Sequence, residues 1–425
     1  MNAHATPIRS AAKTRIFLGG NAGYDPWLLG CTLALLALGL VMVCSASTSI
    51  GTELAGSPTY YLQRQLAALV VAVFGALVVL YLPIRTWQQL SPLALLAAFV
   101  ALTLVLIEGL GHEVNGSRRW LGLGPVAIQA SEPAKLAVVV YLAGYLTRHQ
   151  VQVERDLAGF FKPILVLALL GALLLLEPDY GSTVVLFATG IGMLFIGGVP
   201  IGRFAFSSAF VFACLLGVAT LAPYRVKRLT GFLDPWADRF DSGFQLTQAL
   251  IAFGRGEWFG LGLGNGIQKL FYLPEAHTDF VFAVIGEELG LLGSLLVIVL
   301  FTLLVWRILY LASLAKRVGA DFAAHLCYGV GLLLGIQAFV NMGVAMGVLP
   351  TKGLTLPLVS YGNNSLVVTL AALAMVLRMA SEIKLTGDAE RAGAPIAARA
   401  DARGNAGKAP KKPVAGRARK RRLPT

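Results

Sequence analysis

The chain has 425 residues, of which 56% are hydrophobic and 13% charged, and its mean hydropathy is +0.72. Soluble domains carry about 25% charged residues, so half of the polar coating that water requires is missing and a water-soluble enzyme is not expected. Of the net charge of +13, +9 lies in Arg378–Thr425, where 13 Lys and Arg stand against 4 Asp and Glu. Beside a membrane such a run reports orientation and contact with anionic lipid rather than nucleic acid.

The segment Met1–Asp25 is short, polar and mildly basic, and it reads as an N-terminal tail. The first apolar run, Trp27–Ala46, is longer than a signal-peptide core and more spans follow it, so it predicts an uncleaved helix. Further runs centre on Leu66–Leu82, Leu93–Ile107, Ala134–Leu146, Ile164–Leu176, Ser182–Val199, Phe204–Ala222, Phe280–Val305, His325–Leu349 and Leu366–Met379. The expectation is an all-α polytopic membrane protein of ten helices, with both ends on one side. With the N-terminus placed in the cytoplasm, 24 of the 35 Lys and Arg fall inside and 11 outside, as the positive-inside rule requires. Cys31, Cys44, Cys214 and Cys327 all lie in apolar runs and read as small buried hydrophobes. From residue 383 the chain reads as a basic cytoplasmic tail; beyond Glu390 it is rich in Ala, Gly, Pro, Lys and Arg, a composition that predicts disorder.

The polar chemistry gathers on the outer side. Between the seventh and eighth spans lies a 57-residue connection, Pro223–Asp279, whose mixed aromatic and charged residues predict re-entrant or interfacial helices. GSRRW supplies Arg118 and Arg119; SEPAK supplies Glu132 and Lys135, three apart on one helical face. EPDYG supplies Glu177 and Asp179 where Pro178 and Gly181 break a helix, and Lys352 sits in LPTKGLTLP. Glu287 and Glu288 follow Asp279 by 8 and 9 residues, roughly 12–14 Å deeper. At such depth an ionised group facing lipid costs about 3 kcal/mol or more. These groups therefore face protein or a wet cavity that opens to the outer leaflet. The glycines of GLGLGNG (260–266) lack the preceding strand of a nucleotide loop and read as a turn or a close-packing site. His277 lacks partners at metal-ligand spacing, so no protein-built metal centre is expected.

Three long stretches carry a resemblance: NGSRRWLGLGPVAIQASEPAKL (115–136), LPEAHTDFVFAVIGEELG (273–290) and NMGVAMGVLPTKGLTLPLVSYGNNS (341–365). They resemble the signature regions of the SEDS family of bacterial shape, elongation, division and sporulation proteins. TKGLTLP and EAHTD make the chain most similar to the division branch. The resemblance implies a ten-helix fold and a peptidoglycan glycosyltransferase that polymerises lipid II, the undecaprenyl-pyrophosphate-linked disaccharide peptide. It further implies a cytoplasmic (inner) membrane location at the septum. Implied partners are the class B penicillin-binding transpeptidase FtsI and the FtsQ–FtsL–FtsB complex. The family's catalytic aspartate falls on Asp279, with Glu275 and His277 of the same motif as substrate contacts. Where the family reads SYGGS, this chain has Ser360-Tyr361-Gly362-Asn363-Asn364-Ser365; Asn tolerates a left-handed backbone, so the turn is expected to persist.

Glycan polymerisation needs a base for the attacking sugar hydroxyl, positive charge on the departing pyrophosphate, and a groove for polyprenyl chains. Asp279 is placed to be the base. Arg118, Arg119, Lys135 and Lys352 are the candidate phosphate contacts, with Mg or Mn as a possible addition. Glu132, Glu177, Asp179, Glu287, Glu288 and Ser360 are assigned to architecture or positioning. Two alternatives remain on the residues alone: a lipid II flippase and a non-catalytic divisome scaffold.

Overall fold

The computed structural model describes residues 24–114, 117–123, 126–220, 223–351 and 353–391. The expectations for Lys352, for the N-terminal tail up to residue 23 and for the basic tail past Arg391 lie outside the described residues. Helix α1 (Pro26–Ala55) begins as its sequence dictates: Asp25 caps it, Oδ1 accepting from the Leu28 amide at 2.9 Å, with Pro26 in the first turn. Gly56, at φ 65°, ends it. Helices α2 (Tyr60–Tyr81) and α3 (Ile84–Leu106) follow, then α4 (Ser131–Arg155), α5 (Leu157–Leu176), α6 (Tyr180–Ile196) and α7 (Ile201–Thr220). The long connection folds into α8 (Pro223–Leu233), α9 (Phe244–Gly256) and a π turn at Gln268–Tyr272. Helices α10 (Val281–Arg317), α11 (Asp321–Ala345) and α12 (Asn363–Arg391) complete the described chain. The compact unit Gly23–Ser381 holds all of these but the last turns of α12.

Among the described residues eight helices are long and apolar enough to cross a membrane: α1, α2, α3, α5, α7, α10, α11 and α12. The other two expected spans differ for physical reasons. Helix α4 opens with buried Glu132 and Lys135, and α6 is 17 residues long. A three-stranded antiparallel sheet, β1 (Gly111–Val114), β2 (Ser117–Leu123) and β3 (Val126–Gln129), joins α3 to α4. The sequence reading expected helices alone; four- to seven-residue strands inside a turn-rich connection leave little periodicity to detect.

Helix α11 is the centre of the bundle, packed against α10, α4 and α6. Leu142 and Leu146 of α4 and Leu167, Leu170 and Leu174 of α5 fill the adjacent core. Helix α2 shows how one sequence serves three environments at helical spacing. Gln65, Ala72 and Val79 are buried. Val70, Phe74 and Leu77 are exposed, as suits a face whose solvent is lipid. Arg64, Ala67, Ala68 and Val71 face a cavity. Helix α10 is interrupted at Gly290 (φ 68°, ψ −162°), a conformation essentially confined to glycine. There the loop after α9 closes on the break: Leu261 and Gly262 amides donate to the carbonyls of Glu287 and Glu288, and Leu291 donates to Glu257.

Candidate active site

At the end of the bundle that carries the sheet lies a cavity of about 1350 Å³. Its wall comes from α2, β2 and β3, the starts of α4, α6 and α12, and the turns before α10 and α12. Asp279 is on this wall, in the turn that leads into α10. The turn is fixed through three successive backbone carbonyls. Tyr361 N–H donates to His277 at 2.9 Å, Ser360 Oγ–H donates to Thr278, and Asn341 Nδ2 donates to Asp279 at 2.8 Å. Asn341 also donates to the Leu354 carbonyl, and Ser360 Oγ accepts from the Leu356 amide, so the same two side chains hold the segment after Lys352. The Asp279 carboxylate lies against Gly353, where a Cβ would stand 3.1 Å from Oδ2. The backbone of this turn is thus held at three points beside the Asp279 side chain on the cavity wall.

Glu275 shares the wall, its Oε2 accepting from Thr278 Oγ1 at 2.7 Å. His277 is buried, its ring 4.7 Å from that of Tyr61 and 5.6 Å from that of Tyr361. Burial lowers its pKa, so it is neutral at pH 7. Arg118 and Arg119 part company because neighbouring strand residues point to opposite faces. Arg119 lines the cavity and donates to the carbonyls of Glu177 (3.3 Å) and Pro178 (2.7 Å). Arg118 pairs with Glu108 at 3.2 Å and Glu113 at 3.5 Å on the other face of the sheet. Glu132 reaches the wall, but Lys135, 2% exposed, turns inward to Glu132 and to Gln337 Oε1, each at 2.9 Å. Gln337 in turn donates to the Thr355 carbonyl at 3.1 Å. Lys135 therefore braces α4, α11 and the wall from behind.

In the turn between α5 and α6, Asp179 caps α6, Oδ1 accepting from Ser182 N–H at 3.1 Å. Its Oδ2 and both carboxylate oxygens of Glu177 are buried without a hydrogen-bond partner. Burial, reinforced by the charge of Asp179, pushes Glu177 up to about 8. Glu287 and Glu288 are elsewhere and fully engaged. Glu287 accepts from the Ile267 (3.0 Å) and Gln268 (3.1 Å) amides and pairs with Arg255 at 3.6 Å. Glu288 accepts from Ser45, from the Gly264 amide and from Lys269 Nζ at 2.6 Å. The glycine-rich loop sits directly on them: a Cβ at Gly260 would lie 2.2 Å from the Glu288 carbonyl, which bears out the close-packing expectation.

The turn expected at Gly362–Asn364 is not left-handed. Leu358 (φ 65°) takes that conformation instead, while Asn363 opens α12 and Asn364 Nδ2 donates to the Ala127 carbonyl at 3.1 Å. Arg64 on the wall and Asn341 behind it were not singled out from sequence. Both are polar residues inside or at the lip of apolar runs, the signal that did single out the carboxylates.

The fold and cavity define a polytopic helical membrane protein with a polar chamber at one end. A family model described as the cell cycle protein family FtsW/RodA/SpoVE matches residues 26–385, and the chain belongs to that family. It is 54% identical over 380 residues to the probable peptidoglycan glycosyltransferase FtsW of Nitrosococcus halophilus, covering 89% of this chain and 98% of the relative. It is 52% identical over 373 residues to the protein of the same description from Halomonas elongata, covering 87% and 94%. Among solved structures, a chain of a peptidoglycan synthase complex that coordinates polymerization and crosslinking aligns with a TM-score of 0.69 at 32% identity, covering 85% of this chain and 98% of that one. The rod shape determining protein RodA of Thermus thermophilus aligns at 0.62 and 30%, covering 84% and 97%.

Proposed function

We propose that Asp279 is the general base of a peptidoglycan glycosyl transfer carried out in this cavity. The chain is a peptidoglycan glycosyltransferase by family and by relatives matched over nearly their whole length. The observation that supports the residue assignment is the anchored turn: three carbonyls fixed in sequence beside one carboxylate on the wall of a chamber large enough for sugar residues. In this reading the Asp279 carboxylate takes the proton from a sugar hydroxyl of one lipid II-linked chain. That oxygen bonds to the anomeric carbon of the other, the carbon–pyrophosphate bond breaks with inversion, and undecaprenyl pyrophosphate leaves with the electron pair. Arg119 and Arg64, both on the wall, meet its growing negative charge. A divalent cation, Mg or Mn, belongs to the same proposal and would add Lewis-acid stabilisation of the leaving group.

The sheet end then faces the periplasm, ten helices cross the cytoplasmic membrane, and both termini lie in the cytoplasm. A septal location, an FtsI-type transpeptidase and the FtsQ–FtsL–FtsB complex complete the proposed setting. The test is polymerisation of lipid II by the purified chain with its transpeptidase partner. Asp279→Asn is expected to lower the rate by about 10²–10⁴-fold while melting and partner binding stay at the parental level. Parental rates of glycan chain formation by that variant would refute the assignment.

A further inference from the structure

A polar contact ties α1 to α10 at each of two levels, and the distance between them matches a bilayer. At one level Arg307 of α10 donates from Nε to both carboxylate oxygens of Asp25, the cap of α1, at 3.0 Å. At the other, Ser45 of α1 donates to Glu288 of α10 at 2.8 Å, and Lys269 Nζ reaches Ser45 Oγ at 2.7 Å. Asp25 and Ser45 are 20 residues apart, roughly 30 Å along α1. The hydrocarbon core of a bilayer is about as thick. Residues 26–44 and 289–306, which lie between the two levels, contain no Asp, Glu, Lys, Arg or His. Exposed Trp27 and Trp306 flank the Asp25–Arg307 level, as aromatic side chains do at a membrane interface. The two levels thus mark the edges of the hydrocarbon on this side of the bundle.

The loop after α9 crosses the edge at Glu288. Its backbone enters the break in α10 on the side that leads to Arg307. Two helical bonds, Leu291 to Glu287 and Leu292 to Glu288, are open there, and four bonds to the loop replace them. The Leu291 and Leu292 amides donate to the carbonyls of Glu257 (2.9 Å) and Trp258 (3.2 Å), and the Leu261 and Gly262 amides donate to those of Glu287 and Glu288 (3.0 Å each). Irregular backbone persists at membrane depth only where protein satisfies it, and here loop and broken helix satisfy each other. Leu291 and Leu292 are three and four residues past Glu288, so the bonds to them fix Glu257 and Trp258 about 5–6 Å inside the edge.

Trp258 and Phe259 are 64% and 80% exposed, and Leu291, Leu292, Leu295 and Leu296 of α10 continue the exposed apolar surface down the span. Glu257 is the one ionisable side chain of residues 256–268. It is exposed, and its carbonyl bonds to the residue nearer the edge, which limits insertion to a shallow depth. We propose that Trp258 and Phe259 are inserted in the outermost acyl layer of the leaflet on the chamber side, so that a lipid surface is the partner of this loop. The loop joins α9, whose Gln245 lines the chamber, to the π turn that precedes Asp279. Lipid contact therefore holds this part of the chamber wall at headgroup level, whichever residue serves as the base.

The test uses the full-length chain in phosphatidylcholine vesicles whose acyl chains carry bromine either near the headgroup or near the methyl end. Bromine quenches indole emission on contact. The emission of Trp258→Phe is subtracted from that of the parent, so the other tryptophans cancel. The expected result is a Trp258 component that loses more intensity to bromine near the headgroup than to bromine near the methyl end, and little to aqueous acrylamide. Phe259→Trp is expected to add a component that behaves in the same way, and it serves if Trp258→Phe does not fold. Components quenched by acrylamide and by neither lipid would overturn the proposal and leave the patch to a protein partner. Components quenched best near the methyl end would overturn the shallow depth. Neither outcome depends on polymerisation by the chain, so this inference and the assignment of Asp279 fail separately.

Discussion

Two acidic pairs in this molecule show opposite uses of the same side chain. Glu287 and Glu288, at the break in α10, have all four carboxylate oxygens occupied by amides, Ser45, Lys269 or Arg255. Glu177 and Asp179, beside the chamber, leave three of four oxygens unpartnered. Both pairs are buried. What separates them is saturation. A saturated buried network locks the glycine-rich loop onto a broken helix; the unsaturated pair instead leaves the Glu177 carboxyl raised to about 8 by burial and by the charge of Asp179.

The sharpest way to break the contrast is Glu288→Ala. It strands Lys269, whose side chain is 7% exposed, without its anion. Removing one partner of a buried pair costs about 3–5 kcal/mol, so the folded yield and melting temperature should collapse. A variant that melts like the parent would mean that the network is not structural. Asn341→Ala comes next. It frees the carbonyls of Asp279 and Leu354 and should cost about 1–3 kcal/mol, with a fall in turnover out of proportion to the stability change because Asp279 loses its anchor. Lipid II polymerisation at saturating substrate measures this.

Glu177 yields a pH signature. Its folded-state pKa, about 8, is raised above that of an unfolded glutamate, so the native state holds the extra proton. Stability is fully present below about pH 4.5, declines as pH rises from there to about 8, and levels off above it. The melting temperature of the parent should fall more steeply between about pH 5 and pH 8 than that of Glu177→Gln. Equal slopes would remove Glu177 as the cause. The smallest expected effect is Arg118→Ala. Arg118 pairs with Glu108 and Glu113 on an exposed face, each pair worth about 0–1 kcal/mol, and polymerisation should match the parent. A large loss there would place Arg118 in the chamber after all.

The helices, and the concentration of charge toward one end, were legible because hydropathy is local: an apolar run of spanning length announces itself wherever it occurs. Ionisable residues inside such runs were equally plain, and so Asp279, Glu132, Glu177 and Glu287 could be named from the chain alone. Their duties could not. Arg118 and Arg119 are neighbours of identical chemistry, and only the pleat of an unexpected strand sends one to the chamber and the other to solvent. Lys135 reads as a phosphate ligand until α11 brings Gln337 within 2.9 Å of its Nζ.

Sequence by itself determined that this is a membrane bundle with acidic and basic residues toward one end, since burial in lipid is decided residue by residue along each helix. Only the tertiary structure decided which charges cancel one another and which remain available. That depends on distances between residues such as Lys269 and Ser45, 224 positions apart along the chain, and a hydrogen bond is made or left open within a few tenths of an ångström.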